Sequence, residues 1–356
     1  MRPFRQLIAI AAVATLVSAC STGGPSTPVP TSGPPSAGPA SDGPPSSPPA
    51  SAGEPTPLIV GLGFIPSVQF AQFYLADQAG YYDEEGLDVS FLNEIDANLV
   101  PKVGQGQVDL GMSDGTSVIP AVSQGIPVRY IATVYGQFPS IVFGKASSGI
   151  ASAADLEGKK LGIPGRFGSS WIMLQALLDS VGLTPEDLEI VEYPDFGQGA
   201  AVAQDAVDAA TGFANNEPVQ LERTGTEAFV LHVDDVTALP GPGLIVSNAT
   251  LESKHDAVED FVRATLRAMD EIVADPSKGL DAAIAAVPEL GQDRELQAEI
   301  LDATVAVWQA PGTEALGEID LEGWQDSIDF MTELGGLVPN PVTVDQLVSE
   351  EFVGGS

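Results

Sequence analysis

The sequence predicts an α/β fold with largely parallel or mixed sheets. Three observations support this prediction: strand-like and helix-like segments alternate, glycines stand where several helices would end, and the alternation restarts at Asp155. Such alternation is typical of sheets that are covered by helices. The globular part, from about Leu58 onwards, has roughly 300 residues, a length that suggests two domains or one large domain.

Four segments in the first half are predicted to be strands, because they are short and either continuously apolar or alternating. They are 58–62, 87–91, 108–112 and 128–135. Ser67 can cap a first helix that ends at Gly80, since serine is a preferred N-cap and glycine a common helix terminator. Two more helices are predicted around 99–103 and 116–124, with Gly125 placed to end the second.

The second half repeats this pattern and then becomes helical. Strands are predicted at 161–163, 190–193, 209–214 and 243–246, and a helix runs from Gly168 to its terminator Gly182. Beyond Pro240, apolar residues recur at helical spacing over four long stretches, which predicts amphipathic helices. These stretches are 256–274, 276–286, 293–307 and 321–334.

The first 20 residues have the parts of an export signal. A basic start and an apolar stretch over 7–17 precede Val17-Ser-Ala-Cys20, which resembles the bacterial lipobox with Val17 at the usual leucine position. The apolar stretch is shorter than the roughly 20 residues that span a bilayer. We therefore predict a mature chain that begins at a lipidated Cys20, outside the cytoplasm and anchored to the bacterial cell membrane. The alternative for Cys20 is an ordinary buried thiol.

Residues 21–56 consist largely of Pro, Ser, Gly, Thr and Ala. Such a segment buries too little apolar surface to offset the entropy of ordering it, so we predict a disordered tether between the membrane and the globular part. Because Cys20 is the only cysteine of the chain, an intramolecular disulfide is excluded.

The chain carries 49 acidic and 14 basic side chains, a formal net charge of −35. A surface this negative repels nucleic acid, so we exclude a nucleic-acid partner and interpret the charge as a source of solubility. We expect a monomer.

Motifs for common catalytic chemistry are absent from the sequence. The two histidines, His232 and His255, lie in unrelated contexts, so neither a zinc site nor a Ser-His-Asp triad is predicted. Gly61-Leu-Gly63 lacks the third glycine of a dinucleotide fingerprint, and no P-loop occurs. Carboxylates are too numerous to exclude a glycosidase-type acid pair. These features favour a binding protein over an enzyme, with no cofactor and no metal.

Four loops stand where open α/β sheets place their ligands, after strands and before helices. They are 63–70, 113–116, 164–171 and 214–218, two from each half, which favours a cleft between two lobes. For any single residue the alternative is core packing, helix capping or solvation. The candidate ligand-binding residues are Phe64, Gln69, Ser113, Asp114, Arg166, Phe167, Ser169, Trp171, Phe196, Asn215, Asn216 and Glu217.

Several of these segments resemble a known family. The run from Gly63 to Tyr74 (GFIPSVQFAQFY), followed by Gly80 to Val89, is similar to the opening of ABC-importer solute-binding proteins related to thiamine-pyrimidine, riboflavin, sulfonate and nitrate binders. Segments 108–113, 156–164 and 215–218, and those around Trp308 and Trp324, resemble the same branch. The resemblance covers about residues 57–352.

The resemblance implies a periplasmic-binding-protein type II fold with two lobes and two crossovers between them. One lobe would comprise 57–146 and 241–356, the other 147–240. Hinge closure would bury a small molecule in the cleft, and the closed form would dock on an ABC permease with its ATPase. A sensor or adhesin with the same binding fold is a further alternative.

The aromatic and amide side chains of the loops, with Gln198 added to the candidates above, suit a planar heterocycle. We therefore predict a thiamine pyrimidine precursor or riboflavin as the ligand. A sulfonate or nitrate ion is the alternative, with Arg166 and the helix start at Gly168 as its donors. A related class of pyrimidine-synthesis enzymes has a cysteine-rich motif and histidines that this sequence lacks, so we do not predict that activity for a chain with an export signal.

Overall fold

The computed structural model of the chain describes residues 54–309 and 315–353. The predicted signal peptide, Cys20 and the predicted tether up to residue 53 lie outside the described residues. Thr56, the last residue assigned to the tether, is the first residue of the first strand.

The described residues form ten strands in two five-stranded mixed sheets. The strands are β1 (Thr56–Gly61), β2 (Leu87–Leu92), β3 (Leu110–Ser113), β4 (Val128–Thr133), β5 (Ser140–Lys145), β6 (Lys160–Ile163), β7 (Glu189–Glu192), β8 (Ala209–Phe213), β9 (Ala228–His232) and β10 (Gly243–Ser247). The first sheet has the order β2-β1-β3-β10-β4 and the second has the order β7-β6-β8-β5-β9. We call the parts of the chain built on these sheets the first lobe and the second lobe.

Each sheet contains one antiparallel strand that reaches it from the other lobe. β5 follows β4 of the first sheet but pairs with β8 and β9, while β10 returns from the second lobe and pairs with β3 and β4. The chain therefore passes between the lobes twice, through a first crossover at 134–139 and a second crossover at 233–242.

The position of β5 differs from the lobe boundary expected from the sequence. β5 lies within the range 57–146 assigned to the first lobe, yet its hydrogen bonds place it in the second sheet. Neither β5 nor β9 is among the strands predicted from the sequence. β9 (Ala-Phe-Val-Leu-His) is half-buried along its whole length and lies at the edge of the second sheet.

The described residues also contain twelve α-helices, which cover the sheets. They are α1 (Ala71–Gln78), α2 (Tyr81–Glu84), α3 (Asp96–Gly104), α4 (Gly115–Ser123), α5 (Gly168–Asp179), α6 (Gln198–Ala203), α7 (Glu217–Arg223), α8 (Asn248–Ala274), α9 (Pro276–Ala286), α10 (Arg294–Trp308), α11 (Leu321–Glu333) and α12 (Val344–Leu347). The predicted helices 276–286, 293–307 and 321–334 are confirmed to within one residue.

Helix α8 begins eight residues earlier than the predicted start at 256, because its first turns are separated by a kink. Lys254 has non-helical backbone angles there, and Ser247 caps the helix by accepting the N–H of Thr250. The Lys254 ammonium donates to the carbonyl of Pro57 and to the carboxylate of Asp109, both at 2.8 Å. The Lys254 side chain at the kink thus ties α8 to Pro57 of β1 and to Asp109, the residue that precedes β3.

Both sheets bury apolar side chains on both faces, which is the packing expected for strands between two helix layers. In β10, Leu244 and Val246 belong to one buried cluster and Ile245 to another. In β5, Val142 and Phe143 likewise belong to different clusters. Within the described part of the chain, no helix combines the length and the apolar character that a membrane span requires.

Candidate functional site

A cavity of about 170 Å³ is lined by side chains of both lobes. The loops that follow β1 and β3 supply most of its first-lobe wall, and the loops that follow β6, β7 and β8 supply its second-lobe wall. All four loops predicted from the sequence therefore contribute to one cavity, as expected for the carboxyl ends of strands in an open α/β sheet.

The structure brings nine of the twelve candidate residues into the wall of this cavity. They are Phe64, Gln69, Ser113, Asp114, Phe167, Ser169, Phe196, Asn216 and Glu217. Gln198, the first residue of α6, lines it as well.

Three candidates do not line the cavity. Arg166 is half-exposed, pairs with Glu192 at 3.4 Å and lies 5.1 Å from the ring centre of Trp171. Trp171 packs against the leucine-rich core of the second lobe instead. Asn215 is fully buried and donates its side-chain N–H to Thr304 of α10. The sequence does not show whether the side chains of these three residues point into the cavity or away from it.

Sequence reasoning also missed apolar and aromatic lining residues. Ile95, Phe213 and Tyr135 contribute to the wall, and so does Phe70, the last residue of the predicted loop 63–70. Tyr135 belongs to the first crossover, although the sequence places it at the end of a predicted strand. In the sequence, each of these side chains looks like an ordinary core residue. Only the packing of the two lobes against each other shows that it lines a cavity.

The close approach of the first two loops depends on Gly63. Its φ of +76° lies in the left-handed region that favours glycine, and a Cβ there would lie 2.7 Å from the carbonyl oxygen of Met112. The glycine therefore lets Phe64 follow β1 directly while the loop stays against β3.

Two aromatic rings meet across the cavity. Phe64 of the first lobe contacts Phe196 of the second edge to face, with ring centres 5.4 Å apart and planes at 88°. Phe196 has a φ of +60° and is 40% exposed. A non-glycine residue in this region costs about 1–2 kcal/mol, and such strain clusters at ligand-binding sites. The Phe196 N–H donates to the carbonyl of Tyr193, which helps to hold this turn.

Two buried polar atoms of the wall have no hydrogen-bond partner among the described residues. They are the hydroxyl oxygen of Ser113 and the side-chain carbonyl oxygen of Gln198. The Gln198 amide nitrogen donates to the carbonyl of Thr211 at 3.3 Å, so its carbonyl oxygen is left as an acceptor. An unsatisfied buried group costs about 1–3 kcal/mol, and a ligand with N–H or O–H groups would remove this cost.

Among the described residues, those that form the wall of the cavity include two carboxylates and no lysine, arginine or histidine. Asp114 is the N-cap of α4, where it accepts the hydroxyl of Thr116 at 2.6 Å and the N–H of Ser117 at 3.1 Å. A further polar feature is the start of α5, whose N-cap Phe167 offers no side-chain acceptor to the first turn. The wall thus combines acceptors with residues at the starts of α4, α5, α6 and α7.

The Glu217 carboxylate occupies a tight position at the start of α7. It accepts the N–H of Phe213 at 2.7 Å, and a Cβ at Gly212 would lie 2.9 Å from its Oε2 atom. Removal from water raises the pKa of the Glu217 carboxyl above its usual value, and the Phe213 N–H partly opposes this.

The comparisons with known proteins agree with this architecture. Residues 67–279 match the sequence model of the family described as NMT1/THI5 like. This chain belongs to the NMT1/THI5-like family.

Two relatives of this NMT1/THI5-like protein are named for different roles, one for binding and one for synthesis. The riboflavin-binding protein RibY of Chloroflexus aurantiacus is 35% identical, over 96% of this chain and 95% of its own. The 4-amino-5-hydroxymethyl-2-methylpyrimidine phosphate synthase THI11 of Saccharomyces cerevisiae is 28% identical, over 65% of this chain and 72% of its own. The family thus includes proteins named for binding and proteins named for synthesis.

Solved structures confirm the predicted periplasmic-binding-protein fold. The periplasmic aliphatic sulphonate binding protein SsuA of Escherichia coli superimposes with a TM-score of 0.66 at 19% identity, over 82% of this chain and 97% of its own. In the described part of this NMT1/THI5-like chain, no group of three or more His, Cys, Asp or Glu residues is placed to hold a metal ion.

The Glu217 carboxyl leads to a pH-dependent prediction for this NMT1/THI5-like protein. Its pKa is higher in the folded chain than the usual 4.5, so the folded state binds the proton more tightly than the unfolded state. The carboxyl's contribution to stability is therefore lost as the pH rises from 4.5 through the raised pKa. The Glu217→Gln variant lacks this loss, so its unfolding free energy relative to the wild type should rise over that window and then level off. Urea unfolding of both proteins between about pH 4 and pH 8 measures this difference; a difference independent of pH would contradict the prediction.

Proposed function

We propose that this protein is the solute-binding lipoprotein of an ABC importer and that it captures a heteroaromatic vitamin or precursor in the cavity between its lobes. Riboflavin is the first candidate and a thiamine pyrimidine precursor the second. The observation that carries the proposal is the wall itself: aromatic rings from both lobes surround buried acceptors that have no partner. The similarity to RibY over nearly the full chain supports riboflavin.

The chemistry of the wall matches a flat ring with hydrogen-bonding edges. Aromatic faces stack on a planar ligand, while Gln198, Ser113 and Glu217 offer acceptors to its N–H and O–H groups. The start of α5 offers N–H groups to a ring carbonyl, since helix N-termini favour acceptors and negative charge.

The size of the cavity gives a condition for binding. At about 170 Å³ it is smaller than the roughly 300–1,000 Å³ of most small-molecule sites. A three-ring ligand must therefore separate Phe64 from Phe196, and the two crossovers are the segments that would flex during this hinge motion.

The same proposal includes export and lipidation at Cys20, followed by docking of the closed form on a permease that works with an ATPase. Mass spectrometry of the N-terminal peptide from membrane-extracted protein tests the lipidation: an unmodified Cys20, or an uncleaved signal peptide, would refute it.

A sulfonate or related anion is the second candidate ligand. The uncapped start of α5 favours it, and SsuA shares the fold. Against it stand the two carboxylates of the wall and the absence of any cationic side chain there, because Arg166 lies outside the cavity and pairs with Glu192.

The deciding experiment is calorimetry of one purified sample of the full chain with riboflavin, hydroxymethylpyrimidine and taurine in turn. We expect riboflavin to bind and to lose its fluorescence, and the recovered ligand to be chemically unchanged. Binding of taurine alone would overturn the heterocycle proposal. Conversion of any of the three compounds would overturn the assignment as a binding protein and favour the activity for which the synthases of the family are named.

A further inference from the structure

We infer that Asn215 is a positioning residue: through Thr304 of the first lobe it fixes the loop that presents Asn216 and Glu217 to the cavity. The inference rests on the proposed function for its ligand-binding consequence. Its structural part, that α7 is attached to α10 through this contact, can be tested without any ligand.

The geometry of the β8–α7 loop is the starting point. β8 ends at Phe213, and α7 begins at Glu217, so three residues connect the sheet to the helix. Asn216 and Glu217 line the cavity, while Asn215, which precedes them, is fully buried and does not line it. A buried amide in such a short loop fixes the position of its neighbours.

The partner of Asn215 lies in the other lobe. Its side-chain N–H donates to the hydroxyl oxygen of Thr304 at 2.8 Å, and it lies 3.5 Å from the hydroxyl of Tyr135 in the first crossover. The Thr304 hydroxyl donates its own proton to the carbonyl of Ile300 at 2.7 Å. Because that proton is already used, the Thr304 oxygen is oriented as the acceptor for Asn215.

The other end of α7 is attached to the same part of the first lobe. Arg223, in the last turn of α7, pairs with Glu299 at 3.0 Å, Asp293 at 3.4 Å and Glu295 at 3.5 Å. These acidic residues lie in α10 or at its N-cap. The exposed ion pairs contribute little each, so the buried Asn215–Thr304 bond is the stronger determinant of the loop position.

Thr304 itself is remote from the ligand. No residue of α10 lines the cavity. A change at Thr304 reaches the cavity through two polar contacts, Asn215 of the loop and the hydroxyl of Tyr135. A reporter inside the loop is therefore needed to isolate the part that Asn215 carries. Valine has nearly the shape of threonine and lacks the hydroxyl, whereas serine keeps the hydroxyl.

The ligand-free experiment is amide hydrogen exchange of the full chain. The Phe213 N–H is the reporter, since it is held by the Glu217 carboxylate at 2.7 Å. Thr304→Val should speed its exchange about 5- to 10-fold, the effect of losing one buried hydrogen bond, and Thr304→Ser should restore the wild-type rate. Thr265→Val is the matched control, because Thr265 is equally buried but bonds Tyr82 within the first lobe.

The ligand-binding experiment titrates riboflavin into the same variants and into Glu217→Gln. Thr304→Val should weaken binding about 5- to 10-fold, with rescue by Thr304→Ser and no change in Thr265→Val. In the Glu217→Gln variant, the further change Thr304→Val should weaken riboflavin binding by a smaller factor than it does in the wild type, because both changes act through the Glu217 side chain.

The outcomes separate the two proposals. Failure of the wild type to bind riboflavin refutes the proposed ligand and leaves the exchange result to decide the role of Asn215. Equal Phe213 exchange in Thr304→Val, Thr304→Ser and the wild type would overturn the inference, and so would faster exchange in the Thr265→Val control.

Discussion

Replacement of Phe196 by alanine is expected to weaken riboflavin binding about 5- to 150-fold, because stacking of a flat ring on an aromatic side chain contributes about 1–3 kcal/mol. Phe196 is the second-lobe ring that meets Phe64 across the cavity, and it is held there at a φ of +60°. The alanine variant keeps the left-handed backbone and loses only the ring. Fluorescence quenching of riboflavin by the full chain measures the change in affinity.

A glycine variant separates the ring from the backbone strain. Phe196→Gly should bind riboflavin as weakly as Phe196→Ala but should be the more stable of the two by about 1 kcal/mol, since glycine adopts a positive φ without a Cβ penalty. Phe196→Tyr keeps an aromatic face and should bind within a few-fold of the wild type. Wild-type affinity in Phe196→Ala would show that this wall does not contact the ligand.

The second large effect concerns the core of the first lobe. Trp324 of α11 is 1% exposed, and its ring lies edge-on to Tyr130 of β4 with centres 4.9 Å apart. Trp324→Ala should lower the free energy of unfolding by about 3–5 kcal/mol, the usual cost of emptying a fully buried aromatic site. Urea unfolding followed by circular dichroism measures it.

The control for this prediction is the same change at Trp171. That side chain is only partly buried on the second lobe, so Trp171→Ala should cost markedly less than Trp324→Ala. Neither residue lines the cavity, so both variants should bind riboflavin like the wild type under conditions where they are fully folded. A stability loss at Trp324 no larger than that at Trp171 would contradict the packing described above.

Much of the fold follows from local sequence. Ser67 accepts the N–H of Gln69, but it caps a 3-10 turn over Val68–Phe70 that leads into α1 rather than α1 itself, whose N-cap is Phe70. Gly80 follows α1 in the left-handed conformation expected of a helix terminator. The four loops that meet at the cavity are also predicted from the sequence, because a short apolar strand followed by a helix start is a local pattern. The family could be identified for the same reason: its resemblance is carried by those contiguous loops.

The tertiary structure decided how these segments meet. The sequence does not show that β5 leaves the first sheet to become a central strand of the second, because strand pairing depends on contacts between distant residues. It also does not show that Arg166 turns outward to Glu192 while Phe64 and Phe196 meet. Alternation and helical spacing report whether a side chain is apolar and on which side of its own element it lies. The packing of the two lobes decides whether that side faces a core, a cavity or the other lobe. The clearest example is the buried hydrogen bond between Asn215 and Thr304, two residues that lie 89 positions apart in the sequence.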